Sequence, residues 1–186
     1  RELGRPVKLM FDRATDSRFD CVRSPSVCFF EATFDADGAL TGVDHAVAAG
    51  WPTKGMAPGF LGTGIDGKGK FDGFSISGAD HWYSLPSHRV RAMNIELAQS
   101  TFLPGWLRAV GPGWISWGVE SFLDEIAHQM GQDPVALRMG LLDGAGKNAG
   151  GEGSTAGGAK RLAAVLKDAS ERADWGREMP ANEGLG

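Results

Sequence analysis

The chain has 186 residues, 42% of them hydrophobic, and a formal charge of −4. That length fits one large domain or two small lobes, and the weak acidity argues against general nucleic-acid binding, which needs a basic face. No stretch is long and apolar enough to span a bilayer, and no signal peptide is visible in a chain that opens on Arg1.

Residues 7–12 alternate apolar and polar side chains and predict a strand. Residues 12–25 are polar and broken. The spacing of Cys21 and Cys28 fits no zinc or iron–sulfur pattern, so both read as small apolar residues or free thiols. Residues 26–34, rich in aromatic and β-branched side chains, predict a second strand. Asp35-Ala36-Asp37-Gly38 follows as a hairpin signal, because Gly38 takes positive φ without strain. Residues 40–47 then pair antiparallel with 26–34. Residues 51–77 hold Pro52, Pro58 and seven glycines from Gly55 to Gly73, which discourage regular structure. Loops of that length are usually functional or disordered. Residues 88–97 predict another strand, with a bulge near Met93 where the apolar phase changes.

The pattern then turns helical. Ile115, Val119, Phe122, Leu123, Ile126 and Met130 fall at helical spacing, with Glu120, Asp124, Glu125 and His128 on other faces. Asp133-Pro134 opens a second helix as N-cap and first residue, and Leu137, Leu141 and Leu142 form its buried side. Gly144 ends it. Residues 159–173 predict a third helix, apolar at Leu162, Val165, Leu166 and Ala169, before an extended tail from Trp175. The chain thus divides into a mainly β segment with a long Gly-rich loop (1–100), a loop with a helical hairpin (101–144), a Gly-rich linker (145–158) and a helix with a tail (159–186). The class is α+β, a small antiparallel sheet followed by packed helices.

Gly62-Thr63-Gly64-Ile65-Asp66-Gly67 matches G-x-G-x-x-G, but no strand precedes it and no helix follows, so a dinucleotide fingerprint is rejected. His45, His81, His88 and His128 form no short-range pair of the kind metal-binding helices use, and structural or surface roles are expected. Glu120, Asp124 and Glu125 read as a solvated helix face or as caps for loop amides, rather than as acid–base catalysts. The informative segment is 104–113, Pro-Gly-Trp-Leu-Arg-Ala-Val-Gly-Pro-Gly, which delivers Arg108 to a helix start. A guanidinium, loop amides and a helix dipole together make an anion site. The plain alternative is an arginine paired with a neighbouring carboxylate.

Leu107-Arg108-Ala109-Val110-Gly111, followed by Val119-Glu120-Ser121-Phe122-Leu123-Asp124-Glu125-Ile126-Ala127-His128, resembles the arginine loop and helix of the molybdenum hydroxylases, the xanthine dehydrogenase and aldehyde oxidase family. Gly131-Gln132-Asp133-Pro134-Val135-Ala136-Leu137-Arg138 resembles the family's next helix start. Upstream, Arg5-Pro6-Val7-Lys8, Phe34-Asp35-Ala36-Asp37-Gly38 and Tyr83-Ser84-Leu85-Pro86 are similar to family blocks in the same order. The nearest likeness is to the branch with isoquinoline oxidoreductase and bacterial membrane-associated aldehyde dehydrogenases. Residues 12–16 lack the family's paired glutamates, and Ser87 stands where asparagine is common.

The resemblance implies an internal piece of a large subunit that carries part of a larger molybdopterin-binding domain. Carried over by motif position, Arg108 lies against the cofactor, with Ala109 and Gly111 beside it, and Val110 lines the substrate pocket. No metal ligand or catalytic residue is implied here, because the family's glycine loop and base glutamate have no counterpart in these residues. The implied parent reaction hydroxylates an aldehyde or N-heterocycle with water as oxygen source. It implies molybdenum on a molybdopterin, in the cytosine dinucleotide form, and an iron–sulfur small subunit as partner. Two other readings stand beside this one: a scaffold or interaction domain that kept the fold without the chemistry, and an unrelated ligand-binding module built on the Gly-rich loop.

Overall fold

The computed structural model describes residues 2–144 and 157–185. The predicted linker at 145–158 therefore falls almost wholly outside the described residues. The α+β class holds, and its first half is built on one hairpin. Strand β1 (Ser26–Phe34) alternates half-buried and exposed side chains at every step, the two-residue period of a strand with one covered face. It pairs antiparallel with β2 (Leu40–Ala49), from Ser26 opposite Ala49 to Phe34 opposite Leu40. The turn is held by the Asp35 carboxylate, which accepts from the amides of Asp37 at 3.0 Å and Ala39 at 2.9 Å, and Gly38 has φ +81°.

Several elements differ from the sequence expectation. Residues 7–12 form no strand; Val7, Leu9 and Phe11 are 66%, 75% and 64% exposed, and no neighbouring strand completes their backbone hydrogen bonds. A short helix, α1 (Arg13–Phe19), follows inside the stretch expected to be broken. Asp12 caps it by accepting from the Thr15 amide at 2.7 Å. The Gly-rich region holds helix α2 (Pro52–Met56), a 3-10 turn (Pro58–Phe60) and a small hairpin of β3 (Gly62–Thr63) and β4 (Lys70–Phe71). Proline starts α2 rather than breaking it, since a first-turn N–H has no intrahelical acceptor. The G-x-G-x-x-G match lies across β3 and the hairpin turn.

Strand β5 (His88–Asn94) adds to the free edge of β2 in parallel, from Val43 opposite His88 to Ala49 opposite Asn94, so the sheet is mixed, in the order β1-β2-β5. Parallel pairing needs a long crossover, which residues 50–87 supply. No bulge interrupts β5. The apolar phase change near Met93 marks instead the passage from β5 to helix α3 (Glu96–Thr101).

Helix α4 (Pro112–Gln129) lies across the β1–β2 face with Ile115, Val119, Leu123 and Ile126 buried. Phe122 stacks on Phe30 at 5.0 Å, and Phe30 on His45 at 4.0 Å. This is the packing that two apolar faces require. Helix α5 (Pro134–Leu141) is capped by Asp133, which accepts from the Ala136 amide at 2.8 Å. Helix α6 (Ala159–Arg172) packs on α5 through Leu162, Ala163 and Leu166. Val165, expected on its buried side, is 59% exposed, because the apolar stripe is wider than the contact it makes. The tail turns back, and Trp175 Nε1 donates to the Asp133 carboxylate at 2.7 Å. That bond, with the Ala136 amide, holds Asp133 below the usual carboxylate range.

Candidate functional site

The loop between α3 and α4 is anchored to the chain's first polar segment: Val22 N donates to Leu103 O at 3.0 Å and Gly105 N to Val22 O at 3.1 Å. Beyond that ladder the backbone tightens, with Leu107 N donating to Gly105 O at 2.9 Å and Val110 N to Leu107 O at 2.8 Å. Ala109 has φ +67° and Val110 φ +28°. Left-handed backbone crowds Cβ against the carbonyl oxygen and is rare for a β-branched residue. Two such residues in succession cost about 1–3 kcal/mol each and persist only where surrounding contacts fix them.

Between those contacts sits Arg108. Its side chain is exposed and has no carboxylate partner among the described residues. Among those residues its amide and that of Ala109 donate to no other group. Its carbonyl oxygen accepts from Arg23 Nη2 at 2.6 Å. The result is a guanidinium and two amide donors, with no internal acceptor, at the entry to an 18-residue helix. That donor set matches an anion or the polar edge of a heterocycle. Ala109 is exposed beside Arg108, Val110 is half-buried, and Gly111 is buried. Gly111 is needed for close approach: a Cβ there would meet Phe74 O at 2.6 Å and Ser77 O at 2.8 Å.

The acidic cluster on α4 has another use. Arg138, 9% exposed on α5, donates from Nε to Glu120 at 2.8 Å, and from Nη1 to Asp124 at 2.6 Å and Pro134 O at 3.2 Å. Its Nη2 donates to the backbone oxygen of Glu120 at 2.8 Å. Tyr83 OH donates to the same Glu120 carboxylate at 3.0 Å. Burial first, then the Glu120 charge, pushes the Tyr83 phenol up. Glu120 and Asp124 thus keep part of the solvated face expected of them, cap no loop amide among the described residues, and clamp α4 to α5 through Arg138. Their i, i+4 spacing opposite an arginine on the next helix was the signal for this pairing. Glu125 stays exposed.

His45 meets two histidines from much later in the chain, His81 and His88. His45 is fully buried with neither ring nitrogen hydrogen-bonded, and His81 stacks on His88 at 5.0 Å. All three line a small space of about 10 Å³. Burial, reinforced by the His88 charge, lowers both the fully buried His45 and the half-buried His81 to about 4, which favours the neutral imidazole at both. No group of side chains among the described residues has metal-holding geometry. A larger open cavity, about 330 Å³, lies beside the first turns of α4 against Trp82, Tyr83 and Glu120; neither Arg108 nor Val110 lines it.

A family model described as a molybdopterin cofactor-binding domain matches residues 1–140. The membrane-bound aldehyde dehydrogenase (pyrroloquinoline-quinone) of Gluconacetobacter polyoxogenes is 48% identical over 184 residues, 98% of this chain and 24% of that protein. Isoquinoline 1-oxidoreductase subunit beta of Brevundimonas diminuta is 24% identical over 179 residues, 95% of this chain and 20% of that protein. Among solved structures, the aldehyde oxidoreductase of Desulfovibrio gigas aligns with TM-score 0.47 and 20% identity, over 84% of this chain and 16% of that one. The chain therefore spans a quarter or less of the length of these relatives.

Proposed function

This chain belongs to the molybdopterin cofactor-binding domain family, and from that premise we propose that its Arg108 loop holds the polar edge of a molybdopterin within a larger oxidoreductase subunit. The observation that carries the reading is Arg108 itself: an exposed guanidinium without a carboxylate partner among the described residues, on a loop whose next two residues are held in left-handed backbone. A loop that serves only the fold has no use for that strain, whereas a binding loop must keep its donors aimed before the ligand arrives.

In this reading the Arg108 guanidinium and the Arg108 and Ala109 amides donate to the cofactor. Gly111 sets the loop by its close approach to Phe74 and Ser77, and Val110 turns toward the substrate. When bound, the molybdenum centre supplies the oxidation of an aldehyde or N-heterocycle, with water as the source of oxygen. The cytosine dinucleotide form of the cofactor goes with the bacterial origin of the curated relatives. The remaining cofactor loops and the base belong to the rest of the subunit. An iron–sulfur partner takes the electrons, since Cys21 and Cys28 do not make a cluster ligand set. Val7, Leu9, Met10, Phe11, Val27 and Phe29, all largely exposed here, fit a surface that the rest of the subunit covers.

Metal analysis and pterin fluorescence on the intact subunit test this. Wild type should carry molybdenum and pterin together, and Arg108→Ala should lose most of both. A quinone in place of pterin, or an Arg108→Ala variant with the full cofactor complement, overturns the assignment.

A further inference from the structure

We infer that Asp72 is the positioning residue of the Arg108 loop, fixing both ends of that loop through one buried carboxylate; the inference rests on the proposed role of the loop as a cofactor contact. Asp72 is fully buried and pairs with no cation among the described residues. A buried carboxylate without a countercharge is tolerated where hydrogen-bond donors surround it. Here three do: Thr53 Oγ1 at 2.6 Å, Thr53 N at 2.9 Å and Phe74 N at 2.9 Å.

Each donor leads to the Arg108 loop. On one side, the Thr53 hydroxyl that donates to Asp72 accepts from Trp106 Nε1 at 3.2 Å, two residues before Arg108. Holding the Thr53 hydroxyl hydrogen on Asp72 leaves its lone pairs for the indole. On the other side, Asp72 ties down the turn at 72–75. Its Oδ1 accepts from Phe74 N, and its backbone oxygen accepts from Ser75 N at 3.1 Å and Ser75 Oγ at 2.9 Å. Phe74 O then accepts from Gly111 N at 3.0 Å, three residues after Arg108. The Phe74 and Trp106 rings lie 5.4 Å apart and close the circuit.

Trp106 and Gly111 are thereby fixed, and Ala109 and Val110 complete the turn between them at positive φ. Among the described residues neither Asp72 nor Thr53 makes a hydrogen bond or ion pair with Arg108, so the effect of the hub on a ligand passes through loop geometry. An anchor that served only general stability would have no reason to converge on both flanks of one strained turn.

Hydrogen exchange on the intact subunit, read together with molybdenum and pterin content, tests this. Asp72→Asn, which keeps size but replaces one acceptor with a donor, should speed exchange at the 106–111 amides at least tenfold while the β1–β2 amides stay within about twofold. Thr53→Val should follow Asp72→Asn, and Thr53→Ser, which keeps the hydroxyl, should remain at wild type. Asp72→Asn should also cut cofactor content severalfold, with no further loss when combined with Arg108→Ala. Unchanged exchange at 106–111, or acceleration spread evenly over the sheet, overturns the inference. A loosened loop with full cofactor content would uphold the positioning role and overturn the reading of the loop as a cofactor contact.

Discussion

Arg108 precedes α4, Arg138 lies in the last turn of α5, and the two do opposite things. Arg138 is buried at the α4–α5 junction and gives its donors to Glu120, Asp124 and Pro134. Arg108 is exposed at the mouth of α4, and its guanidinium meets no carboxylate among the described residues. An arginine whose donors are satisfied inside the protein belongs to the fold. One held out on a strained turn with donors unspent is available to a ligand. The resemblance treated both as motif residues, and only their surroundings separate them.

The contrast breaks first if stability does not follow it. Arg138→Ala should destabilise the chain by about 3 kcal/mol, the low end for breaking a buried pair, because Glu120 and Asp124 are 47% and 56% exposed and keep part of their hydration. Urea unfolding measures this, and a loss under about 1 kcal/mol would put Arg138 with ordinary surface pairs.

Arg108→Ala should leave stability within about 0.5 kcal/mol, as for surface positions generally. In the intact subunit it should weaken cofactor retention by about 2 kcal/mol, the worth of a charge-assisted hydrogen bond. Equal effects of both arginines on stability would erase the distinction.

The histidine core sharpens the comparison from the fold side. His45 and His81 have folded-state values of about 4 against 6.5 when free. Between those values the unfolded chain binds more protons than the folded one, so stability is complete above pH 6.5 and falls as pH drops toward 4. The slope should reach at most about 1.4 kcal/mol per pH unit for each imidazole. His45→Phe should flatten that slope in chemical unfolding between pH 4 and 7. A profile that remains as steep would locate the titration elsewhere.

The smallest effect is expected at Val110. Val110→Phe should alter kcat/KM between bulky and small aldehydes by about 1 kcal/mol, the low end of pocket discrimination, since Val110 is half-buried. Unchanged selectivity would leave Val110 as part of the turn and no more.

The strand period of 26–34, the Asp-Gly turn, the spacing from Ile115 to Ile126 and the Asp133-Pro134 cap were each legible in sequence. Such signals depend on residues within a few positions of one another, where backbone geometry alone relates side chain to side chain. The segment around Arg108 was legible as a Gly/Pro turn at a helix start for the same reason. The strand expected at 7–12 failed because alternation supplies no hydrogen-bonding partner. The parallel placement of β5, the meeting of His45 with His81 and His88, the capture of Glu120 and Asp124 by Arg138, and the Asp72 hub all join residues more than a few turns apart along the chain. No local period encodes which distant groups meet. That was decided when α4 and the 51–77 region packed against the sheet, where Asp72 and Thr53 found donors and acceptors and His45 gave up its charge.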